Sequence, residues 1–186
     1  MAGGGDRADH LTLVLMAGLP GTGKSTLSLA VGRALGWPVV DKDIFDGLLR
    51  TAGISGETAV SLAYTLMFAL ARDLLSEQRL PVILDCPAAY PARVEDAVAL
   101  ARAAGARLKV ILCLADRDTR NERMARLVPR ASREWRHPAR RRPSDVEGDG
   151  REQFQHLPPG TFLAWTTRPQ VELVADVVAY LRDGGT

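Results

Sequence analysis

A glycine-rich segment with the sequence GLPGTGKST, at residues 18–26, carries the clearest chemical signature in this 186-residue chain. Gly18, Gly23, Lys24 and Ser25 have the spacing of a loop whose backbone N–H groups surround phosphate oxygens. In such a loop Lys24 would contact the β- and γ-phosphates of a nucleotide, and the Ser25 hydroxyl would bind Mg²⁺. We expect Lys24 to face solvent. The predicted nucleotide-binding residues of the segment are Gly18, Leu19, Pro20, Gly21, Thr22, Gly23, Lys24, Ser25 and Thr26.

Aspartates follow or end two predicted strands: Asp41 and Asp43 come directly after one, and Asp85 ends another. The carboxyl ends of parallel strands are where ligands bind in open α/β sheets. A carboxylate there can accept the proton of an attacking hydroxyl group, and we assign this general-base role to Asp43. Asp41 and Asp85 would contact Mg²⁺ or the substrate, and Asp41 could exchange roles with Asp43. The alternative for each is a capping role, because aspartate favours helix N-termini.

Three further features have two interpretations each. Asp46, one helical turn after Asp43, either contacts the substrate or lies on a solvated helix face. Arg93, in the helix after the strand that Asp85 ends, either holds the substrate or lies on the surface. The third is a stretch from residue 117 to residue 142 that contains ten arginines and three acids, a local charge of +7. Such a stretch either meets an anionic ligand or forms a solvated basic face.

Within the arginine-rich stretch, three- to four-residue spacing places several guanidinium groups on one helix face. We predict that Arg123 and Arg126 neutralise charge on a transferring phosphoryl group, because they lie just before the break at Pro129. We also predict that Arg130 contacts the substrate. An arginine- and proline-rich span at about 129–147 would then form a lid that is mobile without nucleotide and excludes water when it closes.

The elements that must position these residues alternate between strands and helices. Apolar runs predict strands at 11–17, 39–40, 81–85, 108–114 and 161–165, and helical patterns mark 24–35, 41 onward, 57–76, 91–104, 116–128 and 170–181. Such alternation predicts a mainly parallel sheet covered by helices on both faces. We predict a disordered tail at 1–10 and a single α/β domain at 11–182.

Composition excludes several other classes of protein. Hydrophobic residues are 46% and charged residues 25% of the chain, which are ordinary globular values. The longest uncharged apolar-rich run, residues 59–71, is shorter than the ~20 residues that cross a bilayer, so we predict no membrane span. A polar N-terminus and only two cysteines favour the cytoplasm. A net charge of +2 gives no argument for nucleic acid as a partner.

Phosphate-binding loops occur in GTPases, motor ATPases and small kinases, and the chain lacks features of the first two. Its single asparagine, Asn121, precedes Glu122, so the Asn-Lys-x-Asp motif that reads guanine is absent. Asp85 is followed by Cys86 rather than by the catalytic glutamate of motor ATPases. Of the three classes, the sequence therefore favours a small kinase, which is a phosphotransferase.

The combination of GLPGTGKST, DKD, VILDCPAAYPAR, LKVILCLADRDTRNERMAR and FLAWTTRP, over residues 11 to 182, resembles the small P-loop kinases of the AAA-33 or zeta-toxin-like group. That group includes chloramphenicol phosphotransferase, polynucleotide 5′-hydroxyl kinase and, further off, gluconate and shikimate kinases. The resemblance implies a three-layer α/β/α sandwich with a five-stranded parallel sheet in the order 2-3-1-4-5, and ATP and Mg²⁺ as cofactors.

By the same resemblance Asp43 matches the base of the group and Asp85 its third-strand acid. Arg123 and Arg126 match its lid arginines, and the segment Thr167, Arg168 and Pro169 matches its adenine-side loop. The shikimate-kinase Gly-Gly-x-Gly loop and the polynucleotide-kinase Asp-Thr-Asn turn are both replaced by the sequence DCPA at residues 85–88.

We therefore expect an ATP-dependent transfer of phosphate to a hydroxyl group of a small metabolite or antibiotic. Two alternatives stay open: a polynucleotide or nucleoside 5′-hydroxyl kinase, and a non-enzymatic nucleotide-gated regulatory or toxin-like protein. Few aromatic residues accompany the basic ones, which disfavours a nucleic-acid strand. The acceptor pocket is predicted within residues 44–68 and 86–93. The sequence leaves the acceptor, the choice of ATP or GTP and the oligomeric state open.

Overall fold

In the part of the chain that the structure describes, five strands form one parallel sheet. The computed structural model describes residues 11–126 and 145–183. The predicted tail at 1–10, most of the predicted lid and Arg130 lie outside the described residues. The strands are β1 (Thr12–Ala17), β2 (Val39–Asp41), β3 (Val82–Asp85), β4 (Arg107–Leu114) and β5 (Phe162–Trp165).

The sheet has the strand order β2-β3-β1-β4-β5, and every neighbouring pair of strands is parallel. This confirms the predicted order 2-3-1-4-5. Every residue of β1 and β3 is buried, as expected for continuous apolar runs in strands covered on both faces. Asp41 lies opposite Asp85 in the register of β2 and β3, so both carboxylates lie at the same edge of the sheet.

Within residues 11–126 and 145–183, six α-helices cover the sheet. They are α1 (Lys24–Leu35), α2 (Lys42–Thr51), α3 (Gly56–Ser76), α4 (Pro91–Ala104), α5 (Arg117–Ala125) and α6 (Gln170–Arg182), and a short 3-10 helix spans Arg151–Phe154. The predicted helix ends at residues 35 and 104 are confirmed. The residues that follow, Gly36 and Gly105, have left-handed φ values, +71° and +63°, which glycine adopts without a Cβ clash.

Side chains of β1 alternate between two apolar layers, because successive residues of a strand point to opposite faces. Leu13 and Leu15 belong to the layer that contains Met67 of α3 and other residues of α3 and α4. Val14 and Met16 belong to the layer shared with α1 and α6. With one apolar layer on each face of the sheet, the sheet and the helices on its two sides form the predicted three-layer α/β/α sandwich.

Helix α3 meets the length and composition criteria for a helix that could cross a membrane, whereas the sequence predicts no span. One side of α3 is fully buried in the described structure, through Ala59, Ala63, Met67, Ala71 and Leu75. It packs on α2, α4 and β3. This is the pattern of a core helix in a globular domain.

Arg120 of α5 is fully buried, although the sequence grouped it with arginines that meet an anion. Its guanidinium donates to the carbonyl oxygens of Ala115 and Gly148, at 2.8 Å each, and to that of Val146. These bonds hold residues 146–148 against α5. Burial lowers the pKa of Arg120 below its ordinary value.

We expect Arg120→Met to lower the free energy of unfolding by about 3 kcal/mol, because three buried carbonyls lose a charged donor while much of the apolar stem is kept. Urea titration followed by circular dichroism measures the loss. The matched control is Arg117→Met, one helical turn before Arg120. It removes an exposed ion pair with Glu147 and should lower the free energy of unfolding by less than about 1 kcal/mol. Equal small losses in both variants would contradict a structural role for Arg120.

Candidate active site

A cavity of about 1280 Å³ opens at the carboxyl ends of β1, β2 and β3. It brings together most of the residues that the sequence singles out. Those that line it are Pro20, Gly21, Gly23, Lys24, Ser25, Thr26, Asp41, Asp43, Asp85, Arg123, Arg126 and Arg168. Those that do not line it are Gly18, Leu19, Thr22, Asp46, Arg93, Thr167 and Pro169. Parallel topology explains the convergence, since loops that follow adjacent strands share one edge.

The phosphate-binding loop between β1 and α1 needs glycine where its backbone touches other backbone. A Cβ at Gly18 would lie 2.5 Å from the Cys113 carbonyl oxygen, and one at Gly21 would lie 2.5 Å from that of Arg120. The φ angles there are +135° and +81°, which a Cβ also disfavours. The loop ends at Lys24, where α1 begins without a side-chain cap and directs the positive end of its dipole toward an anion.

Lys24 is half-buried rather than solvent-facing. Its Nζ donates to the carbonyl oxygens of Gly18 and Leu19, at 2.8 and 2.9 Å. Burial lowers the pKa of Lys24, and the negative charges of Asp85 and Asp43 oppose that shift. The ammonium is thus held across the loop, close to both carboxylates.

The two aspartates around the start of α2 have different partners. Asp41 is buried, and its Oδ1 accepts the Asp43 backbone N–H at 2.9 Å, so it caps α2 while it also lines the cavity. Asp43 has an Oδ1 that lies 2.9 Å from Lys42 Nζ. Asp85, on the neighbouring strand, is also buried. The capping alternative therefore holds for Asp41, in addition to its place in the cavity.

Lys42 is a site residue that the sequence analysis did not identify. Its side chain is only 4% exposed, and its Nζ lies between Asp43 and Asp46, at 2.9 and 3.8 Å. Asp46 is buried and also pairs with Arg50, so it is neither a solvated surface residue nor part of the cavity wall. The sequence signal that could have identified Lys42 is its position between Asp41 and Asp43, directly after a predicted strand.

Thr166, directly after β5, is the second residue that sequence reasoning missed. Its hydroxyl donates to the Thr22 carbonyl at 2.7 Å, and it also accepts from Arg123 Nη1 at 2.8 Å. Arg123 donates to the Thr166 carbonyl at 2.9 Å and more weakly to the Gly21 carbonyl at 3.4 Å. Arg123 therefore stabilises the phosphate-binding loop through its hydrogen bonds to Gly21 and Thr166.

The other predicted basic residues have separate environments. Arg126 is 79% exposed in its side chain and pairs with Glu122. Arg168 pairs with Asp176 and, more distantly, Glu172 on α6. Arg120, Arg123 and Arg126 therefore do not act as one solvent-facing row: the first is buried, the second half-buried and the third exposed.

No group of three or more His, Cys, Asp or Glu residues in the described ranges is arranged as a complete metal site. Mg²⁺ commonly uses one or two carboxylates together with water and substrate phosphates. Ser25, Asp41 and Asp85 line the same cavity and are oxygen donors of that kind. The donor set therefore fits a magnesium ion that arrives with a nucleotide.

The model of the AAA_33 family, described as an AAA domain, matches residues 13–148 of the chain. No curated protein sequence matches it. The chain is similar in structure to a protein assigned as a kinase from Chloroflexus aurantiacus J-10-fl, with 22% identity, TM-score 0.70 and 96% and 100% of the two chains covered.

Two further solved structures are similar. A gluconokinase from Sinorhizobium meliloti 1021 has 21% identity and TM-score 0.57, over 94% of this chain and 93% of its own. The Mycobacterium tuberculosis APS kinase in complex with AMPPNP and APS has 16% identity and TM-score 0.64, over 94% and 99%. At these identities the similarity establishes a shared fold.

We expect Thr166→Val to weaken the affinity for AMPPNP with Mg²⁺ about three- to tenfold, because the phosphate-binding loop loses one hydrogen bond to β5. Calorimetric titration measures the dissociation constant. Thr167→Val is the matched control, because Thr167 is exposed and lies outside the cavity wall. A larger loss in Thr167→Val than in Thr166→Val would show that Thr167 is the contact residue instead.

Proposed function

Because the chain belongs to the AAA_33 family of AAA domains, we propose that it is an ATP-dependent phosphotransferase acting on a hydroxyl group of a small molecule. One observation carries the proposal: a single cavity joins the phosphate-binding loop, with Lys24 and Ser25, to the carboxylates of Asp43 and Asp85. A phosphate donor and a hydroxyl acceptor can meet there with a base between them.

The phosphate side of the cavity supports a triphosphate. ATP would supply the γ-phosphoryl group, and Mg²⁺ would neutralise charge on the β- and γ-phosphates. Lys24 would exchange the Gly18 and Leu19 carbonyls for phosphate oxygens, while Ser25, Asp41 and Asp85 would hold the metal or its waters. Arg123 and Thr166 keep the loop in place, and Arg126 and Arg168 line the same cavity and can approach the nucleotide.

Asp43 is the proposed general base. The acceptor oxygen bonds to the γ-phosphorus, its proton passes to Asp43, and the bond from the γ-phosphorus to the bridging oxygen breaks to leave ADP. Lys42 stays paired when Asp43 becomes neutral, because Asp46 lies on its other side. Asp41 is less suited, since one of its oxygens caps α2.

A small acceptor is favoured over a polymer by the neighbours of this fold. The gluconokinase and the APS kinase act, by their names, on small molecules, and the latter was solved with AMPPNP. We propose the same general class of acceptor here, a hydroxylated metabolite or antibiotic, and ATP as the donor. We also keep the cytoplasm as the proposed location.

We expect Lys24→Ala to raise the dissociation constant for AMPPNP with Mg²⁺ about tenfold or more and to abolish most ATP-dependent transfer, because charged hydrogen bonds to the phosphates are lost. Calorimetry and ADP release with a panel of metabolites and antibiotics measure the two effects. Lys109→Ala, on β4 and outside the cavity, is the matched lysine control. Turnover like that of the wild type in folded Lys24→Ala would rule out the kinase proposal.

With the acceptor that the wild type uses best, we expect Asp43→Asn to lower kcat by ~10² to 10⁴. The affinity for AMPPNP should stay within about threefold, because the change removes a proton acceptor and not a phosphate contact. Asp41→Asn is the paired variant, and asparagine keeps the helix cap. A larger fall in kcat for Asp41→Asn would transfer the role of base to Asp41.

A further inference from the structure

One part of the cavity has a wall that the proposed reaction leaves unexplained. Val60 and Tyr64 of α3 face this space together with Pro87, Ala89 and Tyr90 of the loop that follows β3. Their side chains are apolar or aromatic. A ligand that covers such a wall must itself present an apolar face, since burial of apolar surface supplies most of the affinity in pockets of this kind.

Two hydroxyls belong to this wall, that of Tyr64, a residue only 8% exposed, and that of Tyr90, which is 71% exposed. The Tyr64 hydroxyl takes part in no hydrogen bond within the described parts of the chain, and it is open to the cavity rather than enclosed by protein. A hydroxyl in that position can donate to a bound ligand. Burial raises the pKa of Tyr64, so the phenol stays protonated and able to donate at neutral pH.

The ring of Tyr64 is held in place by two cations. The Arg93 guanidinium lies 4.8 Å from the ring centroid and Lys42 Nζ lies 5.9 Å from it. Such cation–π contacts fix the orientation of the ring. Arg93, which the sequence analysis proposed as a substrate contact, is thus placed to act through Tyr64.

The cations beside this wall are not available to an anionic ligand. The nearby cations in the described ranges are each paired with an aspartate: Lys42 with Asp43 and Asp46, and Arg93 with Asp96. An acceptor with its own carboxylate or phosphate would therefore have to compete with these aspartates for a cation, and it would lie beside the carboxylate of Asp43.

From these observations we propose that Tyr64 is the residue that selects the acceptor, and that the acceptor is an alcohol with an apolar face and no anionic group. The Tyr64 hydroxyl donates a hydrogen bond to a polar atom on the acceptor body, while the reacting hydroxyl points to Asp43. This inference rests on the proposed phosphotransferase and adds the class of its substrate.

Four probes separate the two properties that the inference specifies. 4-(Hydroxymethyl)benzamide and 4-(hydroxymethyl)benzoate both have an apolar ring and a primary alcohol, and only the benzoate is charged. Gluconamide and gluconate also differ by one negative charge, but neither has an apolar face. Saturation-transfer NMR with the full chain, ADP and Mg²⁺ measures binding, and ADP release from ATP measures transfer. We expect the benzamide to bind, and to have a kcat/KM about tenfold or more above that of each other probe.

The variants test the role of Tyr64 itself. Tyr64→Phe removes only the hydroxyl and should raise KM for the benzamide about tenfold while kcat and the affinity for AMPPNP stay within about twofold. Tyr180→Phe is the matched control, since its hydroxyl bonds the carbonyls of Val110 and Gly160 outside the cavity. A purely structural role for Tyr64 would instead change the affinity for AMPPNP and the unfolding midpoint together, and would overturn the assignment.

The outcomes distinguish this inference from the proposed function. Binding of AMPPNP and Tyr64-dependent binding of the benzamide without any transfer would leave the pocket assignment standing and count against the phosphotransferase. Transfer that is as efficient with gluconate or the benzoate, or that is insensitive to Tyr64→Phe, would overturn the inference and leave the phosphotransferase intact. Failure of every probe to bind in protein that binds AMPPNP would also overturn it.

Discussion

The backbone of the phosphate-binding loop is the part of the molecule on which the rest of the site depends. A loop that turns its N–H groups toward a ligand leaves its carbonyls to be satisfied by protein, because buried backbone groups need partners. Those of Gly18 and Leu19 accept from Lys24, that of Thr22 accepts from Thr166, and Gly21 receives a weaker bond from Arg123. The loop geometry is therefore set by side chains from three segments of the chain.

The same loop contacts another part of the cavity wall. The N–H group of Gly18 donates to the carbonyl of Pro87 at 3.1 Å, and Pro87 belongs to the segment after β3 that lines the cavity. His156 holds the next residue through a contact of 3.0 Å between its Nε2 and the carbonyl of Ala88, whose φ is +48°. A strained residue persists where its surroundings determine it strongly. Hydrogen bonds with the phosphate-binding loop and with His156 thus hold the segment after β3 in place.

Buried charge in the cavity is tolerated because each charge has a partner before any ligand arrives. Lys42 pairs with Asp43 and Asp46, and Asp41 accepts a backbone N–H of α2. Unpaired charges in such positions would cost several kcal/mol each. Pre-paired groups hold their geometry without reorganisation when the reaction requires them, which is how electrostatic stabilisation is most effective.

The sequence alone determined the strands, their parallel order through the resemblance, the phosphate-binding loop and the convergence of Asp41, Asp43 and Asp85, because these follow from local patterns and from the shared edge of parallel strands. Only the tertiary structure decided that Arg120 is buried and that Tyr64 and Thr166 line the cavity. Their surroundings are made by segments distant in the chain, such as residues 146–148 against α5. Helical spacing gives the relative directions of side chains, but which of those directions is covered depends on non-local packing.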